Sequence, residues 1–291
     1  MSAVAPVQTE VRGVSVHLIG VVHLYPSPDG DIVALRGVDL DVEAGQALAL
    51  IGPSGAGKST VLSLLAGEFP ASAGVVRVGG HDLGRVGAEA LARMRTGEIS
   101  LVVQGGVANL LPYATATENV WFAQHGARRR GARISRSPQD LLGLFGMERF
   151  GPMTVEHLSA GERRKLALVT GVAVEPRLLL VDEPTSQLGS RDRDEVVDTL
   201  VRIHDELGMT LVVVSHDAAV AARFERSITI QDGRVGSEGR HGTNYAVVGR
   251  DGTVQLPQMA LELFPPDSLV RVVRGEGRVE LLPSDIPGTT T

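Results

Sequence analysis

The sequence predicts an α/β protein whose mainly parallel sheet is covered by helices on both faces. A glycine-rich loop, GPSGAGKS at 52–59, stands between an apolar strand and a segment with helical spacing. Continuous apolar runs, RLLLV at 177–181 and TLVVV at 210–214, alternate with helical segments, as buried parallel strands do. Many of the 35 glycines fall at turn positions, which suits a protein with many tight loops.

Composition limits the function. With 291 residues, 43% of them hydrophobic, the chain is large enough for one domain and a small appendage. A net charge of -6 gives no general attraction for nucleic acid, so none is expected as a partner. The absence of cysteine excludes disulfides and thiolate chemistry. The N-terminus lacks a signal-peptide pattern and no apolar run reaches the roughly 20 residues that cross a bilayer, so we expect a cytoplasmic protein.

The N-terminal half begins with strands. Residues 14–50 alternate short apolar and polar runs joined by Gly/Asp turns, and the segment KSTVLSLLAGEF at 58–69 has helical spacing. Strand character resumes at 74–80. The chain is then mainly helical and irregular, which indicates an inserted helical subdomain at about 105–173.

The C-terminal half repeats helix and strand, and then changes character. A helix at 159–174 leads into the first apolar strand, and an amphipathic helix at 190–207 leads into the second. A polar, glycine-rich linker is predicted at 237–244, followed by a small β-rich module at 245–283. Residues 1–13 and 284–291 are predicted to be tails.

The glycine-rich loop matches the phosphate-binding pattern G-x-x-x-x-G-K-[ST] in its required strand-loop-helix context. Its glycines let backbone N–H groups turn toward phosphates, Lys58 brings a positive charge to the outer phosphates, and Ser59 offers a hydroxyl to Mg²⁺. An accidental glycine loop is the alternative. The predicted nucleotide-binding residues here are Gly52, Ser54, Gly55, Ala56, Gly57, Lys58, Ser59 and Thr60.

Polar residues follow the other predicted strands, where ligands of parallel sheets bind. Asp182 would hold the metal, and Glu183 would polarise or deprotonate the water that attacks ATP. Adjacent carboxylates could instead cap a helix. His216 is a candidate γ-phosphate contact, although a lone histidine at a strand end is more often structural. Gln104 also follows an apolar run, and it gains meaning only from the order of all these elements.

This order resembles the ATP-binding subunit of ABC transporters. The matching segments cover 14–236, and they are GPSGAGKST, VVQ before NLLPYATATENV, LSAGE, LLLVDEPTS and VVVSHD. The resemblance implies an ATPase that binds ATP and Mg²⁺. It implies that Gln104 contacts metal and water and relays the state of the site to a membrane partner. It also implies that His216 is the switch histidine. Tyr25 stands where the family places an aromatic ring on adenine; a tyrosine packed on the protein surface is the alternative.

The resemblance also implies a head-to-tail dimer, expected to be a homodimer. The phosphate loop of one subunit and the LSAGE loop of the other would close on the same γ-phosphate, with the positive end of the following helix behind the LSAGE loop. ATP binding would close the dimer, and product release would open it. The residues predicted for this second contact are Ser159, Ala160, Gly161 and Glu162.

Two residues depart from the family pattern. Ala160 replaces a glycine, which is tolerable if its backbone angle φ is negative. Gly189 stands where the family usually has an aspartate that bridges to the partner's phosphate loop, so we expect slower or less coupled hydrolysis. Asp192 comes three residues too late to replace that aspartate without rearrangement.

Within the family, NLLPYATATENV is most similar to the macrolide and lipoprotein exporter branch, although amino-acid importers share much of it. The implied partner is a membrane permease subunit that docks near Gln104. The ATPase would then lie on the cytoplasmic face of the membrane. A non-transport ABC ATPase and an ATP-gated DNA-binding regulator are the alternatives.

The segment 245–283 resembles the AbrB/SpoVT-like swapped hairpin. Two copies would interleave to bury their apolar faces, because about forty residues seldom form a core alone. Its arginines are balanced by acidic residues, so it lacks the positive face that DNA binding needs. We therefore expect a dimerisation module.

Overall fold

The computed structural model describes residues 11–105, 107–186, 188–250, 252–256, 258–265 and 268–283. Its strands, in chain order, are β1 (Val16–Tyr25), β2 (Ile32–Val42), β3 (Ala47–Ile51), β4 (Ala73–Val78), β5 (His81–Asp82), β6 (Ile99–Val102), β7 (Leu178–Asp182), β8 (Thr210–Ser215), β9 (Arg226–Gln231), β10 (Arg234–Arg240), β11 (Thr243–Ala246), β12 (Val270–Gly275) and β13 (Arg278–Pro283). Its α-helices are α1 (Lys58–Leu65), α2 (Ala88–Gly97), α3 (Ala116–Arg128), α4 (Pro138–Leu144), α5 (Ala160–Val172), α6 (Ser190–Leu207), α7 (Ala218–Ala221) and α8 (Gln258–Leu261).

The main sheet has seven strands in the order β11-β10-β9-β3-β8-β7-β6. The strands from β9 to β6 are parallel, and β10 and β11 continue the sheet antiparallel. Strands β7 and β8 are almost fully buried, as their unbroken apolar runs predict. The predicted α/β fold with a mainly parallel sheet is confirmed, and it places the carboxyl ends of β3, β7 and β8 side by side.

A second sheet, with the order β2-β1-β4-β5, is antiparallel and faces α1. A hydrophobic core between this sheet, α1 and the main sheet contains Val16, Leu35, Leu62 and Val212. This core holds the start of α1 against β2. The phosphate-binding loop is therefore supported from both sheets.

The other face of the main sheet is covered by helices. A second core combines α3, α4 and α5 with α6, through residues such as Val120, Leu141, Leu168 and Leu200. Helices α3, α4 and α5 each follow an N-cap Ser or Thr that forms a capping box with the acidic residue three positions later, in the first turn of the helix. The described residues in the range predicted as a helical subdomain, about 105–173, include α3, α4, α5 and several 3₁₀ turns.

The predicted linker at 237–244 is wrong. Residues up to 240 belong to β10, and a tight turn leads into β11, so this segment adds a hairpin to the main sheet. Arg226 in β9 pairs with Glu238 in β10 at 2.8 Å. Glycine content suggested a flexible connection, but cross-strand pairing stabilises an extended backbone there.

The two predicted tails lie mostly outside the described residues. Residues 1–10 and 284–291 are not described. Residues 12 and 13 are docked: both amides donate to the carbonyl of Gly208, and Arg12 pairs with the buried carboxylate of Glu175. Among the described helices, none is both long and apolar enough to cross a membrane.

Candidate active site

The phosphate-binding loop connects β3 to α1. Gly52 has φ 147°, and a Cβ there would lie 2.0 Å from the carbonyl oxygen of Ile230. Gly57 has φ 97° and directly precedes α1, where a Cβ would contact the carbonyl of Ala34. Both positions therefore require glycine. No side chain caps α1, so its first N–H groups remain available to an anion.

Lys58 is the first residue of α1, and its ammonium group turns back into this loop. Its Nζ donates to the carbonyl oxygens of Gly52 and Pro53, each at 2.8 Å. Burial lowers the pKa of Lys58, and the charges of Glu183 and Asp182 oppose that shift. The ammonium group is thus held inside the loop, opposite two carboxylates.

Asp182 ends β7, beside the end of β8. Burial raises the pKa of this carboxyl, against a hydrogen bond from Ser59, and its Oδ1 is buried without a hydrogen-bond partner. An orphaned buried carboxylate oxygen is costly unless a proton or a cation satisfies it. The pair of Asp182 and the Ser59 hydroxyl therefore has the chemistry of a Mg²⁺ site.

Glu183 follows Asp182 in an unusual conformation. Its φ is 48°, a left-handed value that non-glycine residues rarely adopt, and its backbone N–H donates to the carbonyl of Val214 at 3.0 Å. His216 Nδ1 lies 3.0 Å from both carboxylate oxygens of Glu183. The helix-cap alternative for the two carboxylates is wrong, because the next helix, α6, has Gly189 as its N-cap.

One cleft of about 430 Å³ brings most of the predicted residues together. The predicted residues that line this cleft are Tyr25, Ser54, Gly55, Gly57, Lys58, Ser59, Thr60, Gln104, Glu183 and His216. Ala56 is buried behind the loop. Residues as far apart as 25 and 216 thus face one space.

Tyr25 lies at the rim of this cleft, with 38% of its surface exposed. Its hydroxyl lies 3.2 Å from Thr60 Oγ1. Its ring packs edge-on against His23, which stacks on Phe69. These two aromatic neighbours were not among the residues predicted from the sequence. His23 could have been found because it shares a strand face with Tyr25, two residues away; nothing in the sequence connects Phe69 to them.

The LSAGE loop lies at a different cavity. Ser159 caps α5: its hydroxyl accepts from the Glu162 N–H, and the Glu162 carboxylate accepts from the Ser159 N–H at 2.7 Å. Ala160 begins the helix without a positive φ, so its methyl group is tolerated. Ser159, Gly161 and Glu162 line a cavity of about 360 Å³ that shares no lining residue with the first cleft. One chain therefore does not join the two predicted anion-binding loops.

The start of α6 borders the same cavity. Gly189 has φ −65° and ψ 162°, and a Cβ would meet no atom within 4 Å. An aspartate would fit there, so packing does not explain its absence. Asp192, three residues too late in the chain to match the family's aspartate, lines this cavity together with Ser159.

Comparisons with known proteins agree with this geometry. Residues 35–186 match the family model described as ABC transporter. The lipoprotein-releasing system ATP-binding protein LolD of Geobacter metallireducens is 37% identical over 72% of this chain and 93% of its own length. The macrolide export ATP-binding/permease protein MacB of Escherichia coli K12 is 34% identical over 72% of this chain but only 32% of its own length.

Solved structures also match. A dimeric post-hydrolysis state of the ATP-binding cassette MJ0796, bound to ADP and Pi, superposes with a TM-score of 0.70 and 30% identity. The match covers 78% of this chain and 98% of that one. The phosphate loop, the two carboxylates at the end of β7 and the histidine after β8 therefore occur in a chain that belongs to the ABC transporter family, as an ATP-binding and ATP-hydrolysing subunit.

Proposed function

We propose that two copies of this chain bind two Mg-ATP molecules between them and drive a separate membrane permease, in the direction of export. One observation carries the dimer proposal: the phosphate loop and the LSAGE loop line different cavities of one chain. A nucleotide could touch both loops only if a second copy supplied one of them. The neighbouring MJ0796 structure is a dimer, which supports this arrangement.

Within the first cleft, each side chain has a distinct task. Lys58 would attract the β- and γ-phosphates once it leaves the carbonyls that now hold it. Glu183, close to Lys58, would accept a proton from water or orient that water for in-line attack. His216 holds the Glu183 carboxylate through Nδ1, which leaves Nε2 for the γ-phosphate.

The residues present fit a magnesium ion. The unpartnered Asp182 Oδ1 and the Ser59 hydroxyl would hold it, with Gln104 at the edge of the cleft. The described residues contain no cluster of three or more metal-binding side chains, and Mg²⁺ commonly uses one or two carboxylates together with substrate phosphates. Bound there, Mg²⁺ would neutralise charge on the β- and γ-phosphates.

At the second cavity, the Ser159 hydroxyl accepts a hydrogen bond from its own helix and so keeps its proton to donate. Together with the first N–H groups of α5, it would bind the γ-phosphate of the partner's ATP. ADP lacks that phosphate, so hydrolysis and phosphate release would open the dimer.

The permease proposal rests on the relatives. LolD is the ATP-binding protein of a lipoprotein-releasing system, and MacB is a macrolide export protein that is both ATP-binding protein and permease. After Gln104 in the chain, the turn before α3 and α3 itself expose Tyr113, Trp121 and Phe122. Exposed aromatic rings suit a protein interface. The chain would then lie at the cytoplasmic face of the membrane, and the permease would select the cargo.

The module at 245–283 would help to join the two copies. Its hairpin, β12-β13, pairs only with itself among the described strands and exposes Val272 and Val279 by 64% and 65%. An isolated two-stranded hairpin is at best marginally stable in water, so a second copy would stabilise it. Its charges are balanced, as in the pair of Arg278 and Glu280 at 3.0 Å, which argues against DNA binding.

The decisive experiment uses Glu183→Gln in the full chain. This variant should bind Mg-ATP without hydrolysing it and should accumulate as a dimer in size-exclusion chromatography with light scattering. The double variant Glu183→Gln/Lys58→Ala should show no increase in the dimer fraction when Mg-ATP is added, because it lacks the phosphate contact. A Glu183→Gln protein that stays monomeric at saturating Mg-ATP would contradict the proposal. Copurification of a membrane protein would test the permease proposal separately.

A further inference from the structure

Arg193 connects α6 to the loop that carries His216. It lies in the first turn of α6, four residues after Gly189, and 25% of its side chain is exposed. Its Nη1 donates to Asp217 Oδ2 at 2.9 Å, and its Nε donates to Asp194 Oδ1 at 3.2 Å. A charge-assisted hydrogen bond from a partly buried guanidinium restricts both partners more than a surface ion pair does.

Asp217 uses both of its carboxylate oxygens. Oδ1 accepts from the N–H of Ala219 at 2.8 Å and so caps the short helix α7. Oδ2 accepts from Arg193. The N–H of Asp217 donates to Ser215 Oγ at 3.1 Å. The backbone on the C-terminal side of His216 is therefore held by α6, by α7 and by the end of β8.

His216 in turn holds Glu183 through its Nδ1. A continuous series of contacts thus runs from α6 through Arg193 and Asp217 to His216, and from there to the Glu183 carboxylate. The hydrogen bond from Arg193 to Asp217 joins the first turn of α6 to the His216 loop.

We propose that Arg193 is a positioning residue for ATP hydrolysis, which sets the orientation of His216 by fixing Asp217 to α6. The proposal rests on the roles proposed above for His216 and Glu183. Arg193 would not contact nucleotide. It would act on the catalytic step, because a fixed His216 loop keeps the Glu183 carboxylate and the γ-phosphate contact in one geometry.

The test measures steady-state hydrolysis of Mg-ATP by the full chain. Arg193→Ala should lower kcat about 10-fold while the KM for Mg-ATP stays within about twofold, because misplacing a catalytic group by part of an ångström reduces the rate and not binding. Arg193→Lys keeps the charge but loses the planar guanidinium with its several N–H donors. Its kcat should therefore lie between that of the wild type and that of Arg193→Ala. Arg191→Ala is the matched control: it removes the same charge from an exposed position two residues away and should leave kcat unchanged.

A double-mutant cycle shows whether Arg193 acts on hydrolysis through Asp217. Asp217→Asn retains the ability to cap α7 but loses the charged acceptor. If Arg193 acts through Asp217, the double variant should be no slower than the slower single variant. Multiplicative losses, or a kcat for Arg193→Ala equal to that of Arg191→Ala, would overturn the proposal. If Arg193→Ala fails to fold, the kcat of Arg193→Lys at an unchanged melting temperature decides the question. A Glu183→Gln protein that stays monomeric at saturating Mg-ATP would instead contradict the roles proposed for Glu183 and His216.

Discussion

His216 Nδ1 lies 3.0 Å from each carboxylate oxygen of Glu183, although 33 residues separate them in the chain. The contact is possible because β7 and β8 are parallel neighbours whose carboxyl ends meet at the same edge of the sheet. A ring nitrogen that donates to a carboxylate fixes the orientation of both groups. The pair therefore forms one unit, which makes the effect of removing either residue predictable.

Replacement of His216 by alanine should lower kcat for ATP by about 100-fold, the lower end of what a positioned acid-base group contributes. The Glu183 carboxylate would lose its orienting contact and the γ-phosphate would lose a hydrogen bond. His81→Ala, at an exposed strand position far from β8 in the fold, is the control for a general effect of histidine removal. Equal kcat values in the His216→Ala and wild-type proteins would contradict the assignment.

Replacement of Tyr25 separates two contacts. Tyr25→Ala should weaken ATP binding about 10-fold, the order of one base stacked on an aromatic ring. Tyr25→Phe removes only the hydroxyl that meets Thr60, and we expect its affinity to stay within about twofold, because one neutral hydrogen bond contributes little net free energy. Isothermal titration calorimetry with ATP measures both. A larger loss for Tyr25→Phe than for Tyr25→Ala would exclude the stacking role.

Gly189→Asp should stabilise the protein by a few tenths of a kcal/mol, because aspartate is a better N-cap than glycine. The backbone already has the extended conformation of an N-cap, and the added side chain meets open space. Gly189→Ala is the matched comparison and should destabilise α6, since alanine cannot cap. Urea unfolding measures the stability of the wild type, Gly189→Asp and Gly189→Ala. A Gly189→Asp protein less stable than Gly189→Ala would be inconsistent with this geometry.

Glu175 should make the protein acid-sensitive. Burial alone would raise the pKa of this carboxyl, but hydrogen bonds from Ser135, Arg136 and Arg12 lower it below its ordinary value of 4.5. A carboxyl with a lowered pKa contributes stability above the ordinary value and loses it as the pH falls through the folded value. Glu175→Gln should therefore cost about 2 kcal/mol at pH 7, and less at pH 4 and below.

Urea unfolding at several pH values measures this difference. Glu156→Gln, at an exposed position, is the control and should change the free energy of unfolding little at any pH. A cost for Glu175→Gln that does not shrink on acidification would show that the ionised carboxylate is not the stabilising form.

The sequence by itself determined the parts of the site whose geometry is local. The spacing of glycines before Lys58 predicts a loop that turns N–H groups toward an anion, and the apolar runs predict the strands at whose carboxyl ends Asp182 and His216 stand. These predictions hold because a tight turn and a buried strand depend on a few adjacent residues. The same local reasoning was wrong at 237–244, where glycine suggested a linker and pairing with β9 formed a strand instead.

Only the tertiary structure decided which side chains meet. The contact of Arg193 with Asp217 spans 24 residues, and the packing of Phe69 on His23 spans 46, so no short pattern predicts either. The separation of Ser159 from the first cleft likewise depends on how α5 packs against the sheet. Long-range contacts follow from the relative placement of whole strands and helices, which is set by burial of two shared cores and not by the residues next to each contact.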